Sequence, residues 1–228
     1  MSVEGADATR LELASQCRRV TLTPHAERLA AAAVELHLVG NDGSDERWAT
    51  DQDYRERAEM GYRAELAAAE HYGLQPTIDY RPPTVGDAGH DYRLELDGEV
   101  LTVDVKATRT SPPTLYLTRK RAWHDRYTLP DAYLLAAPNL TPDDSIHLVG
   151  WVRTERLRDQ GRETEQYGNP VWTMNGLELA APPSPTRVEP LPTPEREVFA
   201  ATDRADIDAD RSAVREALTA LGGDSSAE

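Results

Sequence analysis

The stretch Asp91-Tyr-Arg-Leu-Glu-Leu-Asp-Gly-Glu-Val-Leu-Thr-Val-Asp-Val-Lys106 decides the fold. Apolar and polar residues alternate on both sides of Asp97-Gly98, which is a strong signal for a two-residue β-hairpin turn. A turn at this position pairs Leu96 with Glu99 and fixes the register of both strands. We therefore predict one apolar face on the hairpin, made of Tyr92, Leu94, Leu96, Leu101, Val103 and Val105.

The opposite face of the predicted hairpin carries charges. The same register puts Asp91 directly across from Asp104, with Lys106 two residues further on and on the same side. Two carboxylates about 5 Å apart on neighbouring strands repel each other unless a positive charge lies between them. A divalent cation with oxygen ligands, next to the Lys106 ammonium, would remove this conflict. An exposed sheet face with scattered charges is the alternative.

A third acidic residue lies in a helix predicted from about Glu46 to His71. Small and aromatic residues recur there at helical spacing, and Glu65 is the only charged residue among them. Because burying a lone carboxylate is costly, Glu65 is expected to be paired or to bind a metal, unless it reaches solvent from the edge of the stripe. The stripe consists of Ala58, Gly61, Tyr62, Glu65, Ala68, Ala69 and Tyr72.

The rest of the chain predicts strands interleaved with helices, and hence an α/β core with a mixed sheet. We expect helices at 26–38, after Pro24, and at 119–127, and strands at 114–117, 132–137 and 146–152. Six prolines between residues 181 and 195 predict a linker. The predicted organisation is a core at about 1–180, a Pro-rich linker at 181–195 and an acidic helical or disordered tail at 196–228.

The composition excludes several classes of protein. No apolar run approaches the ~18–20 residues of a membrane span, and no secretory signal is visible, so we expect a cytoplasmic protein without membrane contact. The single cysteine, Cys17, can form neither an internal disulfide nor a Cys-rich zinc site, and no His spacing marks it as a nucleophile. GxSxG and GxxxxGK[ST] motifs do not occur, so a serine hydrolase or a P-loop NTPase has no support.

The net charge is strongly acidic, with 25 Lys and Arg against 40 Asp and Glu for a charge of −15. Only Lys106 and Lys120 are lysines, and this composition resembles that of extreme halophiles, although an acidic GC-rich bacterial protein is the alternative. The window from Lys106 to Tyr127 is basic instead, with six basic residues against one acidic residue. Phosphate contacts are expected there, unless the window is a solvated helix face, from Arg109, Arg119, Lys120, Arg121 and Arg126.

Three short motifs together resemble a known family. Gly61-Tyr-Arg-Ala-Glu65 on a helix, then Asp91, then Asp104-Val105-Lys106 on the next strand resemble the PD-(D/E)xK nuclease superfamily. The resemblance covers about residues 55–155, and it departs from the family pattern where His90 stands in place of Pro. It implies a three-layer α/β/α restriction-endonuclease-like core with a mixed central sheet, followed by a C-terminal extension.

The resemblance also implies a site and a reaction. Asp91, Asp104 and the Val105 carbonyl would bind Mg²⁺ or Mn²⁺, with Glu65 completing or orienting the site. Lys106 would position or deprotonate the attacking water and stabilise the developing charge. We therefore expect a metal-dependent deoxyribonuclease that hydrolyses DNA phosphodiester bonds and leaves a 5′-phosphate.

Several alternatives stay open at this point. The chain is either an active nuclease, from a halophilic archaeon or its virus, or a nuclease-fold protein that serves binding or assembly in a virus or mobile element. In the second case the tail at 196–228 would engage a protein partner, and a viral protein would act in the host cytoplasm. A protein that mimics DNA is disfavoured by the basic window. A homodimer is open, as is the choice among duplex, single-stranded, branched DNA and RNA substrates.

Overall fold

The computed structural model describes residues 16–39, 51–74, 90–118 and 129–190, except 139, 142 and 167. The predicted helix at 119–127, with Arg119, Lys120, Arg121 and Arg126, and the tail at 196–228 lie outside these residues. Within them the strands are β1 (Arg18–Val20), β2 (Tyr92–Leu96), β3 (Glu99–Ala107), β4 (Thr114–Thr118), β5 (Ala132–Ala137), β6 (Ile146–Arg153), β7 (Arg162–Gln166), β8 (Asn169–Asn175) and β9 (Arg187–Pro190). The helices are α1 (Pro24–Val39), α2 (Asp51–His71) and α3 (Thr154–Gln160), with a 3₁₀ turn at Gly176–Glu178.

A six-stranded mixed sheet forms the centre, in the order β1-β6-β5-β3-β2-β9. Strands β3 and β5 are parallel, and all other neighbours are antiparallel. Strand β5 is buried over its whole length, in keeping with its continuous apolar sequence and its position between β3 and β6. The predicted strands at 132–137 and 146–152 are thereby confirmed, as is a mixed α/β fold.

The predicted hairpin register is confirmed from Leu96↔Glu99 to Tyr92↔Val103. Asp97 and Gly98 form the turn with φ of 53° and 82°, the left-handed backbone that a two-residue hairpin turn requires. The prediction that Asp91 pairs directly with Asp104 is wrong in detail. The ladder ends at Tyr92, and the Asp91 N–H instead donates to the Val103 carbonyl oxygen at 2.7 Å. Asp91 therefore lies just outside β2, at its amino end.

Helices α1 and α2 cover one face of the central sheet. They pack on the apolar face of the hairpin and on inward residues of β5 and β6. The buried face of α2 is built from small residues and one leucine, which lets the helix approach the strands closely: Ala64, Leu66, Ala67, Ala68 and Ala69. The Arg63 guanidinium joins α2 to α1 through the Glu27 carboxylate at 2.9 Å.

The second face of the central sheet is covered by a small antiparallel sheet, β4-β8-β7, together with α3. The polar stretch after residue 153 thus holds a helix and a hairpin that the sequence pattern does not reveal. In β7 the first four of five residues are exposed, so no apolar alternation marks the strand. Among the described residues this layer is mainly β-structure, and the three-layer α/β/α arrangement stays a prediction.

The Pro-rich stretch at 181–195 is not a linker over its described part. Arg187–Pro190 form β9, which pairs antiparallel with β2 at the edge of the central sheet. The residues between Pro185 and Pro190 are compatible with a strand, and an edge position tolerates proline at the strand end. None of the helices in the described part of the chain combines the length and the apolar character needed to cross a bilayer.

Candidate functional site

The four residues singled out in the sequence come together at the carboxyl end of β3. Asp104 and Lys106 lie on β3 itself, Asp91 precedes β2, and Glu65 lies on α2. The hairpin register brings Asp91 to the end of β3, and α2 packs across the same strand. Three segments that are distant in sequence thus supply one cluster of three carboxylates and one ammonium.

Asp104 is a buried charged residue in this cluster, with 3% of its surface exposed. It lies near the middle of the central sheet, where β3 is flanked by β2 and β5. The Lys106 Nζ lies 2.5 Å from the Asp104 Oδ2, on the same side of the strand because the two residues are two positions apart. The Lys106 side chain stays 28% exposed, so its ammonium connects the buried carboxylate to the surface.

Asp91 is held by the backbone of the neighbouring strand. Its Oδ2 accepts a hydrogen bond from the Val105 N–H at 2.7 Å. Burial raises the pKa of the Asp91 carboxyl well above its ordinary value, and the negative charges of Glu65 and Asp104 raise it further. The Lys106 charge and the Val105 N–H act in the opposite direction without balancing these effects. The Asp91 carboxyl is therefore harder to ionise than that of a free aspartate.

Tyr92 fixes the helix that carries Glu65 against the hairpin. Its phenol Oη donates to the main-chain oxygen of Glu65 at 2.7 Å, so α2 is attached to β2 next to Asp91. Burial raises the pKa of the Tyr92 phenol, with further contributions from Asp91 and Glu65, so the phenol stays protonated and able to donate. Sequence reasoning placed Tyr92 on the apolar face only. The only sequence signal for its hydrogen bond to the helix was that Tyr92 directly follows Asp91 at the start of a predicted strand.

The donor set suits a hard divalent cation. No three His, Cys, Asp or Glu side chains of the described residues form a ready metal-ligand group. The Val105 N–H points towards Asp91, and the carbonyl of an extended residue points to the same side as its N–H. The Asp91 carboxylate and the Val105 carbonyl are the kind of hard oxygen ligands that bind Mg²⁺ or Mn²⁺.

Arg109 is the one predicted phosphate-binding residue that the structure describes. Its NH1 lies 2.9 Å from the Glu56 Oε2 on α2, and both side chains are partly exposed. The loop that follows is ordered by threonine hydroxyls: Thr110 Oγ1 accepts from the Thr114 N–H at 2.9 Å and lies 2.9 Å from the Thr108 Oγ1. The loop after β3 therefore presents Arg109 from a defined backbone.

Two further reactive side chains differ in their surroundings. The Cys17 thiol lies 3.9 Å from the Val149 carbonyl oxygen, and burial raises its pKa to about 11, which disfavours the nucleophilic thiolate. His90, next to Asp91, has a buried Nδ1 without a hydrogen-bond partner among the described residues. The expectation that Cys17 is not a nucleophile thus agrees with its environment.

Comparison with known proteins finds no matching family model, no significantly similar curated protein and no significantly similar solved structure.

Proposed function

We propose that this protein is a metal-dependent nuclease that hydrolyses DNA phosphodiester bonds, with a core related to the PD-(D/E)xK superfamily. The observation that carries the proposal is geometric: Lys106 contacts the buried Asp104 at 2.5 Å, and the residue between them donates its N–H to Asp91 at 2.7 Å. Burying carboxylates together destabilises a fold, and a bound divalent cation would offset that cost.

Asp91, Asp104 and the Val105 carbonyl would hold Mg²⁺ or Mn²⁺ in this site. Such an ion, when bound, would polarise the scissile phosphate and lower the pKa of a coordinated water. The Val105 N–H orients the Asp91 carboxylate, which prepares one of its oxygens for binding while the other accepts the hydrogen bond. Glu65 adds negative charge beside Asp91, and Tyr92 keeps it there by holding the helix.

Lys106 supplies the positive charge that a phosphodiester needs. Its ammonium is in contact with Asp104 and reaches the surface, so it can donate a hydrogen bond to a non-bridging phosphate oxygen as charge develops there. The basic residues Arg109, Arg119, Lys120, Arg121 and Arg126 would contact flanking phosphates.

The test is nicking of supercoiled plasmid in Mg²⁺ or Mn²⁺ over a range of salt concentrations. Asp104→Ala and Lys106→Ala should each lower the rate at least about 100-fold, which corresponds to about 2.7 kcal/mol of transition-state stabilisation. Asp97→Asn is the matched control, because Asp97 lies in the turn at the other end of the same hairpin. Equal nicking by wild type and both site variants, or none by any protein in every buffer, would reject the nuclease. Metal-independent DNA binding without cleavage would favour the binding or assembly alternative.

A further inference from the structure

Glu56 and Arg109 form an ion pair between α2 and the loop that follows β3. Arg109 lies in the loop after β3, and Glu56 lies in the first half of α2; the guanidinium NH1 and the carboxylate Oε2 are 2.9 Å apart. Their side chains are 39% and 44% exposed, respectively. The pair therefore connects the two elements that supply Lys106 and Glu65, and it remains accessible to solvent.

Arg109 puts this pair at the end of the fold that carries the proposed site. It follows Ala107, the last residue of β3, by two positions. Glu65 lies near the same strand end, because its main-chain oxygen accepts a hydrogen bond from Tyr92 at the amino end of the antiparallel strand β2. Glu56 lies nine residues before Glu65, about 14 Å along the helix axis.

Arg109 is within reach of a substrate phosphate near the cleaved bond. It lies three positions after Lys106, so their Cα atoms are at most about 10 Å apart. A partly exposed ion pair contributes little to stability, so it exchanges partners easily. A phosphate accepts two parallel N–H bonds from a guanidinium, as a carboxylate does, but with greater charge.

Building on the proposed nuclease function, we propose that Glu56 occupies the position of a substrate phosphate and that DNA displaces it from Arg109. Glu56 and Arg109 then determine specificity. A nucleic-acid strand with a second phosphate close to the cleaved bond gains a contact, whereas a mononucleotide or a small phosphodiester does not. Glu56 weakens binding of such a strand, because it competes with the phosphate for the guanidinium.

The test is fluorescence anisotropy of a labelled DNA duplex in EDTA, where metal-dependent cleavage does not occur, across a range of salt concentrations. Glu56→Gln should tighten binding about threefold, and Arg109→Gln should weaken it about fivefold and reduce the salt slope by about one. Glu99→Gln is the matched control. It removes the same charge from a partly exposed pair with Arg153, 2.6 Å apart, at the opposite end of β3, and it should change affinity less than about 1.5-fold.

The double variant, with Glu56→Gln and Arg109→Gln combined, tests whether Glu56 acts through Arg109. In the Arg109→Gln background, Glu56→Gln should have no larger effect than Glu99→Gln, because the residue for which Glu56 competes is gone. A threefold gain that persists in that background would overturn the proposal, as would equal effects of Glu56→Gln and Glu99→Gln in the wild-type background. These results are independent of catalysis: a protein that binds as described but does not nick plasmid would refute the nuclease and leave the exchange standing.

Discussion

Asp91→Asn is expected to stabilise the metal-free protein while it abolishes function. The Asp91 carboxyl is desolvated and faces the negative charges of Glu65 and Asp104. Two like charges a few ångströms apart at an effective dielectric constant of about 20 repel by about 2–4 kcal/mol. Asparagine removes this charge, and its side-chain oxygen can still accept the Val105 N–H. Because the Lys106 attraction is lost as well, we expect a net gain of about 1–2 kcal/mol at pH 7.

The assay is urea unfolding of wild type and Asp91→Asn in EDTA at several pH values. A carboxyl whose pKa is raised by folding binds protons more tightly in the folded state, so wild-type stability falls as pH rises from about 4 towards the raised pKa. The gain of the variant should therefore be absent near pH 4 and complete above the raised pKa. Asp97→Asn, the hairpin-turn control, should change stability by less than about 0.5 kcal/mol.

Added Mn²⁺ provides the second half of this prediction. It should raise the melting temperature of wild type but not of Asp91→Asn, because a ligand that binds only the folded state stabilises it. Loss of stability in EDTA at pH 7, or equal stabilisation of both proteins by Mn²⁺, would refute the account of a repulsive carboxylate cluster.

Three further predictions concern the scaffold. Tyr92→Phe leaves the Glu65 main-chain oxygen without its partner and should cost about 1–2 kcal/mol in urea unfolding and lower the nicking rate, whereas unchanged values would show that the bond does not hold α2. Gly150→Ala would put a Cβ atom 2.5 Å from the Ala180 main-chain oxygen and should cost about 1–3 kcal/mol; a neutral result would contradict this close approach. Hydrogen bonds, chiefly from Ser145, lower the pKa of Asp143 to about 2. The ionised Asp143 carboxylate therefore stabilises the folded protein fully above about pH 4, and this stabilisation is lost as the pH falls towards 2. Asp143→Asn should therefore make the free energy of unfolding less dependent on pH between about pH 4 and pH 2. An unchanged pH dependence would contradict this role of Asp143.

The hairpin was predictable because its information is local. Asp97-Gly98 fixes the turn, and alternation then determines which side chains share a face, so Asp104 and Lys106 could be assigned to one side without knowledge of the rest. Helix periodicity drew attention to Glu65, but the predicted stripe is not the buried face of the helix, because Ala64, Leu66 and Ala67 are buried whereas Glu65 is half-buried. The exact position of Asp91 was not predictable, because the ladder ends one residue early and its N–H turns to the Val103 carbonyl.

Features that depend on contacts between distant segments were missed. Strand β7 has no apolar alternation and forms through its pairing with β8. Strand β9 forms by pairing with the edge of the central sheet at β2. The Tyr92 bond to Glu65 and the Glu56 bond to Arg109 likewise join segments whose approach no local pattern encodes.

We propose that one metal-dependent site, built from Glu65, Asp91, Asp104 and Lys106, cleaves DNA. The most direct measurement is the rate at which one preparation nicks supercoiled plasmid in Mn²⁺, after removal of the ion with EDTA, and after its return, with Asp104→Asn measured beside it. We expect wild-type cleavage to be lost and regained with the ion, and cleavage by the variant to be at least about 100-fold slower whenever Mn²⁺ is present. Cleavage that survives EDTA, or equal rates in the two proteins, would contradict the proposal.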